Sequence, residues 1–369
     1  MHTLTATASS SLSLPADSYI YSIAPSAAGT FSAISSDDSL RVFDAASLSH
    51  VSLVTGKSHG DGVTALTPCG GGNQPLLATG GRDGKVRLWD SRRADGLPVV
   101  EMQTERNDPV LSVACSPETN TIVAGTELAS SQAVVAFWDI RSPARHSLQY
   151  VESHNDDITE LQFHPSRTNI LLSGSTDGLV NVYNTSIRDE DDALVQVINH
   201  GSVHHAGFLS ETTIYALSHD EAFSIHPATD PDAESAQEPA PTPFGDLRQP
   251  LACEYVAQLC LGSLGQVPHV VAGNKAENRL DLVPLDPSPA WHFDHDNLWR
   301  LPGAHGEEVV RSVYLDEQTR TVFTGGEDGL VRAWKPSGDE TQPKEDDEEE
   351  GGVSTRPKKQ KKRDRFKPY

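Results

Sequence analysis

Three histidines sit in polar turns, each followed in the same stretch of chain by an aspartate: His59 in SHGDGV with Asp83, His154 in SHNDDI with Asp177, and His305 in AHGEEV with Asp328. An imidazole beside a carboxylate can move protons or begin a metal site. Either chemistry needs further partners, and the sequence offers none. It has no Gly-rich phosphate loop and no nucleophile-elbow serine. The pairs His204–His205 and His292 with His295 lack a third ligand. Cys69, Cys115, Cys253 and Cys260 are scattered without a Cys-x-x-Cys, which argues against a disulfide framework or a structural zinc. The His and Asp residues recur once per block of chain, far apart, and that is how a folding device is distributed. Polar groups buried between strands must bond to one another. No catalytic set, metal or cofactor is expected.

The elements that hold these residues are repeats. LLATGGRDGKVRLWD at 76–90, LLSGSTDGLVNVYN at 171–184 and VFTGGEDGLVRAW at 322–334 share one pattern, with a weaker copy, FSAISSDDSLRVFD, at 31–44 and half of one, VVAFWD, at 134–139. Each full copy is an apolar stretch, Asp-Gly, then alternating apolar residues ending in an aromatic. Asp-Gly between two such stretches predicts a hairpin, because Gly supplies the positive φ of a tight turn. The closing aromatics Phe43, Trp89, Trp138 and Tyr183 follow one another at 46, 49 and 45 residues. The 151 residues from Tyr183 to Trp334 leave room for two degenerate units before the last good copy. These contain TIYALSHDEAFSIH at 213–226 and HVVAGNKAENRLDLVPL at 269–285. Seven units result.

The block, with its preceding histidine and short strand, resembles the WD40 family. The resemblance implies an all-β fold: a seven-bladed WD40 β-propeller over 1–335, with a disordered charged tail over 336–369. It also implies a hydrogen-bonded tetrad per blade. That maps onto His59, Thr79, Asp83 and Trp89 in the second unit and His305, Thr324, Asp328 and Trp334 in the last. The fourth unit has His154, Ser173 and Asp177, with Tyr183 where Trp belongs. The third has Gln132 in the aspartate's place, and the fifth and sixth lack the set. Residues 3–8 are expected to close the ring as the outer strand of the last blade, paired with 330–334. Residues 228–246, biased to Pro, Ala, Asp and Glu, read as a mobile loop, and 70–73 as a short Gly loop. The last unit and the degenerate fifth and sixth are similar to one subgroup of the family, that of WD repeat-containing protein 89 and its fungal relatives.

Charge speaks to partners. The chain carries a formal −23, from 52 acidic and 29 basic residues. From Pro336 onward nine basic residues balance nine acidic ones, so the whole excess lies in 1–335. Such a body repels a phosphate backbone, so nucleic-acid binding by the propeller is not expected, and a basic protein partner is. No apolar run approaches the ~20 residues that cross a bilayer, and no secretory signal is visible. The basic cluster at 356–365, with Lys358, Lys359, Lys361, Lys362 and Arg363, matches a nuclear import pattern and predicts a nuclear or nucleolar address, with the cytoplasm second.

Function is expected to be that of a monomeric, non-enzymatic scaffold. The resemblance places Arg82, Thr176 and Glu327, each just before a turn Asp, and Arg311 on the partner-binding face. The acidic charge is similar in character to that of ribosome-assembly factors that hold basic proteins. An alternative rests on two Trp-Asp-x-Arg sequences, ending in Arg92 and Arg141, which resemble the motif of substrate receptors that bind the cullin-4 ubiquitin ligase adaptor.

Overall fold

In a computed structural model, residues 1–27, 29–70, 75–230, 240–261, 267–316 and 318–336 are described. The chain divides into a unit Met1–Ser337 and a unit Gly338–Tyr369. The expected tail, its import lysines and most of the 70–73 loop lie outside the described residues.

Seven antiparallel blades follow one another along the chain. Blade 1 runs from Ile20–Pro25 to Val51–Thr55, blade 2 from Val63–Pro68 to Val100–Gln103, and blade 3 from Val110–Ser116 to Leu148–Tyr150. Blade 4 runs from Ile158–Phe163 to Leu194–Asn199, and blade 5 from Val203–Ser210 to Thr242–Asp246. Blade 6 begins at Tyr255–Cys260 and ends at Trp299–Pro302. Blade 7 consists of Val310–Asp316, Thr321–Gly326, Val331–Pro336 and, from the other end of the chain, His2–Ser10. The second strand of a blade is covered on both faces, because blades stack face to face. Leu76–Gly81, Ile170–Ser175 and Thr321–Gly326 are therefore nearly buried throughout, and their composition is apolar and small rather than alternating. The cores lie between neighbouring blades: Leu40, Val42 and Val54 of blade 1 pack with Val63, Leu77 and Trp89 of blade 2.

The first strands line the centre of the ring, and polar side chains stitch most of them to a neighbouring first strand's backbone. Thr64 and Thr67 donate to the carbonyls of Val110 and Val113, Ser112 to Ile158, and Thr159 to Val203. Gln258 both donates to and accepts from the Val313 peptide, and Ile23 N–H donates to Ser312. Between blades 5 and 6 the corresponding bond comes from His205, whose Nε2 lies 3.0 Å from the Ala257 carbonyl.

The N-terminal strand closes the ring and does more. It pairs antiparallel with the last strand over Leu4↔Pro336 to Ser10↔Val331. It also pairs parallel with blade 6, at His2↔Trp299 and Thr3↔Arg300. Blades 6 and 7 thereby share one nine-stranded sheet.

One expectation is corrected. Residues 228–246 are not all loop: Thr242–Asp246 is the outer strand of blade 5, with Ala222↔Asp246 and Ile225↔Thr242 in register. Phe244 packs on the Tyr215–Phe223 cluster and supplies the anchor that composition hid. Pro243 is tolerated because an outer strand has one unpaired edge. Residues 231–239 lie outside the described residues.

Candidate interaction surface

Each hairpin between the second and third strands needs a residue at positive φ. Glycine takes it in blades 2, 4 and 7, with Gly84 at 71°, Gly178 at 93° and Gly329 at 72°. In the other hairpins the residues with positive φ are Asp38 at 64°, Ser130 at 51° and Ser131 at 66°, Glu221 at 61° and Asn278 at 49°.

Beneath the glycine turns the polar side chains meet. In blade 2, His59 Nδ1 lies 2.8 Å from Asp83, His59 Nε2 lies 2.8 Å from the Thr79 hydroxyl, and Trp89 Nε1 donates to that hydroxyl at 2.9 Å. Blade 7 repeats this with His305 to Asp328 at 2.7 Å, His305 to Thr324 at 2.7 Å, and Trp334 to Thr324 at 2.9 Å. The indole N–H can only donate, and an ionised carboxylate can only accept. The proton therefore sits on Nδ1, toward Asp, while the threonine hydroxyl donates to Nε2. In blade 4, His154 reaches Asp177 at 3.0 Å and Ser173 at 2.7 Å. The Tyr183 hydroxyl, from a ring that replaces indole, lies 3.3 Å from Ser173 and 2.7 Å from Ser153.

Blade 3 shows what the missing partners do. Cross-strand register puts Ala124 where Thr79 and Thr324 stand, two residues on from the partner of the closing Trp. The buried Trp138 Nε1 is left without a hydrogen-bond partner. Gln132, in the aspartate's place, pairs through its backbone with Ala129.

Blades 5 and 6 lack the tetrad but carry substitutes that the sequence pattern did not reveal. Ser224 bridges His200 at 2.9 Å and His226 at 2.7 Å. In blade 6 the buried Asp281 accepts two bonds of 2.8 Å from Arg300 and is paired with Arg279. Cross-strand register was the signal: Asp281 faces Ala272 as Arg87 faces Thr79.

These networks predict acid sensitivity. Burial lowers the pKa of His59 and His305 below the usual histidine value, despite the opposing pull of Asp83 and Asp328. Burial opposes ionisation of Asp83, yet bonds from His59, Gly60 and Arg87 hold it down to about 2. The unfolded chain therefore takes up protons first. Stability should fall as pH drops below ~6.5, at up to about 1.4 kcal/mol per pH unit for each histidine, and fall further from ~4 toward 2. Urea denaturation at pH 7.5 and pH 5 measures this, and equal midpoints would contradict it.

The turns joining second and third strands, and the loops leading into first strands, share one end of the ring. Asp61, Glu152, Glu254, Glu307 and Glu308 are exposed there. Arg82 is paired with Glu127 of blade 3 at 2.6 Å, and Arg311 with Glu327 through Nε at 2.8 Å. Thr176 bonds the Asp157 carbonyl through its N–H at 2.9 Å. The four expected contact residues thus lie on one face, each already engaged locally. Arg92 and Arg141 belong to the opposite end, after third strands. Each lays its guanidinium on the Asp two residues before it, at 2.7 Å and 2.6 Å, and stays 71% and 69% exposed. Arg248 forms the same fork with Asp246, without a Trp before it, so the fork is a local habit of Asp-x-Arg.

A cavity of about 560 Å³ opens on this end of the ring where blades 5, 6 and 7 meet. His204 stacks near His205 and His219, with ring centroids 4.1 and 5.0 Å away. Burial, with the charges of His205, His219 and Arg311, pushes the His204 pKa down to about 3. His205 lies 2.6 Å from Glu160 as well as 3.0 Å from the Ala257 carbonyl. Burial works against its charge, but the Glu160 carboxylate and the Ala257 carbonyl outweigh it and raise the His205 pKa above the usual histidine value. No cluster of three or more His, Cys, Asp or Glu residues that could hold a metal is found among the described residues. No helix of the described residues is long and apolar enough to cross a membrane.

Seven blades stacked on inter-blade cores, two of them pinned by full His–Asp–Thr–Trp sets, define a β-propeller, the class of rigid repeat scaffolds. The chain belongs to the WD40 repeat family. The family model described as WD domain, G-beta repeat matches residues 51–90 and 145–184. An uncharacterized WD repeat-containing protein of Saccharomyces cerevisiae is 35% identical over 77% of this chain and 79% of its own length. A WD repeat-containing protein 89 homolog of Dictyostelium discoideum is 23% identical over 71% of this chain and 68% of its own. These bear out the subgroup expected from the last blade. Over 40% of the chain, and 33% of the relative, it is also 32% identical to a ribosome biogenesis protein WDR12 homolog of Nematostella vectensis. Propellers of this family are in general non-enzymatic platforms for protein partners.

Proposed function

We propose that this propeller is a non-enzymatic platform that holds a basic protein, in the nucleus, during ribosome assembly. The observation that carries the reading is charge: the −23 of the chain falls entirely within residues 1–335. Carboxylates exposed around the end that bears the cavity support that end as the docking face. The field raises the rate of encounter with cations and repels nucleic acid. The partial likeness to a protein named for ribosome biogenesis supports the pathway, and the lysines at 358–362 support the address.

Affinity purification of the full chain from cells tests this. Basic ribosomal or nucleolar proteins that elute as salt is raised are the expected result. Acidic partners, or binding indifferent to salt up to ~0.5 M, would overturn it. A chain lacking residues 356–369 and carrying a bulky fluorescent tag should move from nucleus to cytoplasm; an unchanged nuclear signal removes the tail as the address. The ligase reading keeps one favourable observation, the exposure of Arg92 and Arg141 at the same end of neighbouring blades. Recovery of the cullin-4 adaptor, lost when both become alanine, would replace the platform reading.

A further inference from the structure

Glu221 is hard to explain by stability alone. It stands in the blade 5 hairpin at φ 61°, a left-handed conformation that strains a side chain of its kind. Glycine fills the corresponding turn in the regular blades. Glu221 is also only 9% exposed. One carboxylate oxygen accepts the Val256 N–H at 3.1 Å. The other has no hydrogen-bond partner among the described residues. The nearby guanidinium of Arg248 is committed to Asp246. Burial raises the Glu221 pKa above the usual carboxylate value, with only partial relief from Val256 and Arg248. A buried acid that no basic side chain contacts directly, on a strained turn, costs folding energy and is the kind of local conflict that marks a working site.

Its surroundings say what it waits for. Glu221 and Val256 both line the 560 Å³ cavity. The basic groups there are largely answered: His205 bonds Glu160 and Arg311 pairs with Glu327. Glu254 accepts two backbone N–H groups, from Lys275 and Ala276, and the Lys275 side chain is exposed at the rim. The lining acids are Glu221 and Glu254, and among the described residues no basic side chain of the wall is hydrogen-bonded to Glu221, whose one bond comes from the Val256 N–H.

We propose that this cavity is a socket for one arginine or lysine side chain of the basic partner, with the Glu221 carboxylate as its counter-ion. The proposal deepens the platform reading and rests on it. An inserted ammonium or guanidinium would take the free oxygen of Glu221 in a charge-assisted bond inside a partly desolvated site. A partner that reached only the exposed carboxylates would gain far less from each, because water and salt screen them.

The test is fluorescence anisotropy of the full chain with two labelled peptides, one alternating arginine and serine, the other lysine and serine. Glu221→Gln should weaken binding of at least one peptide about tenfold, against less than twofold for Glu307→Gln, which removes the same charge from the surface. Glutamine still accepts the Val256 N–H and carries no buried charge, so the variant should melt at or above the wild-type temperature. Val309→Trp, which fills the cavity without altering charge, should weaken binding as much. Equal small losses for Glu221→Gln and Glu307→Gln would overturn the socket and leave the acidic platform standing. Failure of the wild type to bind either peptide would overturn both.

Discussion

A chain lacking residues 1–10 is expected to lose most of its stability, melting tens of degrees lower or failing to fold. The segment supplies the outer strand of blade 7. It pairs from Leu4↔Pro336 to Ser10↔Val331 and touches blade 6 at His2↔Trp299 and Thr3↔Arg300. Leu4 is 1% exposed and packs with Val271, Leu301, Val322 and Trp334 of blades 6 and 7. Truncating such a leucine alone, as Leu4→Ala, should cost about 2–5 kcal/mol. Deleting the strand adds the loss of its ladder and leaves two sheet edges unpaired. Against a total stability of about 5–15 kcal/mol, that is most of what holds a domain folded. Thermal denaturation followed by circular dichroism measures it, and an unchanged melting temperature would show that the ring stays closed without its N-terminal strand.

Asp328→Ala should be the most damaging single change among the hairpin turns. The carboxylate accepts from His305 at 2.7 Å, from Arg332 at 2.6 Å and from the Leu330 N–H at 3.1 Å. The His305 side chain is fully buried, so removing its acceptor strands an N–H away from water and leaves Arg332 without its anion. The expected loss is about 2–4 kcal/mol, read from the urea midpoint. Gln132→Ala, at the equivalent place in blade 3, should change stability by less than about 0.5 kcal/mol, because no imidazole depends on it. Similar losses from the two substitutions would mean that the aspartate acts through the turn and not through the tetrad.

The contrast between Asp328 and Gln132 shows what is legible along the chain. Seven repeat units and their hairpins followed from local pattern, and the propeller fold with the polar sets of blades 2, 4 and 7 followed from the family resemblance that those units carry. A hairpin with Asp-Gly and alternating apolar residues is specified within about fifteen residues, and a repeat multiplies that signal. Ring closure was legible too, because a repeat out of phase leaves one strand missing at one end and one spare at the other.

What depended on three dimensions was every contact made between units. Residues 242–246 were hidden by composition, since a strand that carries a proline and an aspartate can still pair when one edge is free and Phe244 has a core to enter. The parallel bridge from His2 and Thr3 to blade 6 has no local signature. Neither do the Ser224 and Asp281 networks, which fill the tetrad's place with other chemistry. Arg82, Arg311 and Glu327 were readable as surface charges, but only the folded ring showed that they are paired.

Glu221 is the sharpest case. In the sequence it is one acid among 52, inside an irregular hairpin. The turn fixes its backbone, but blades 5, 6 and 7 together decide that its carboxylate is buried, half satisfied and beside a cavity. Local pattern determines which strands form, because hydrogen bonding and alternation act over a few residues. Burial and charge balance depend on what the other blades bring near, and tertiary structure alone decides that.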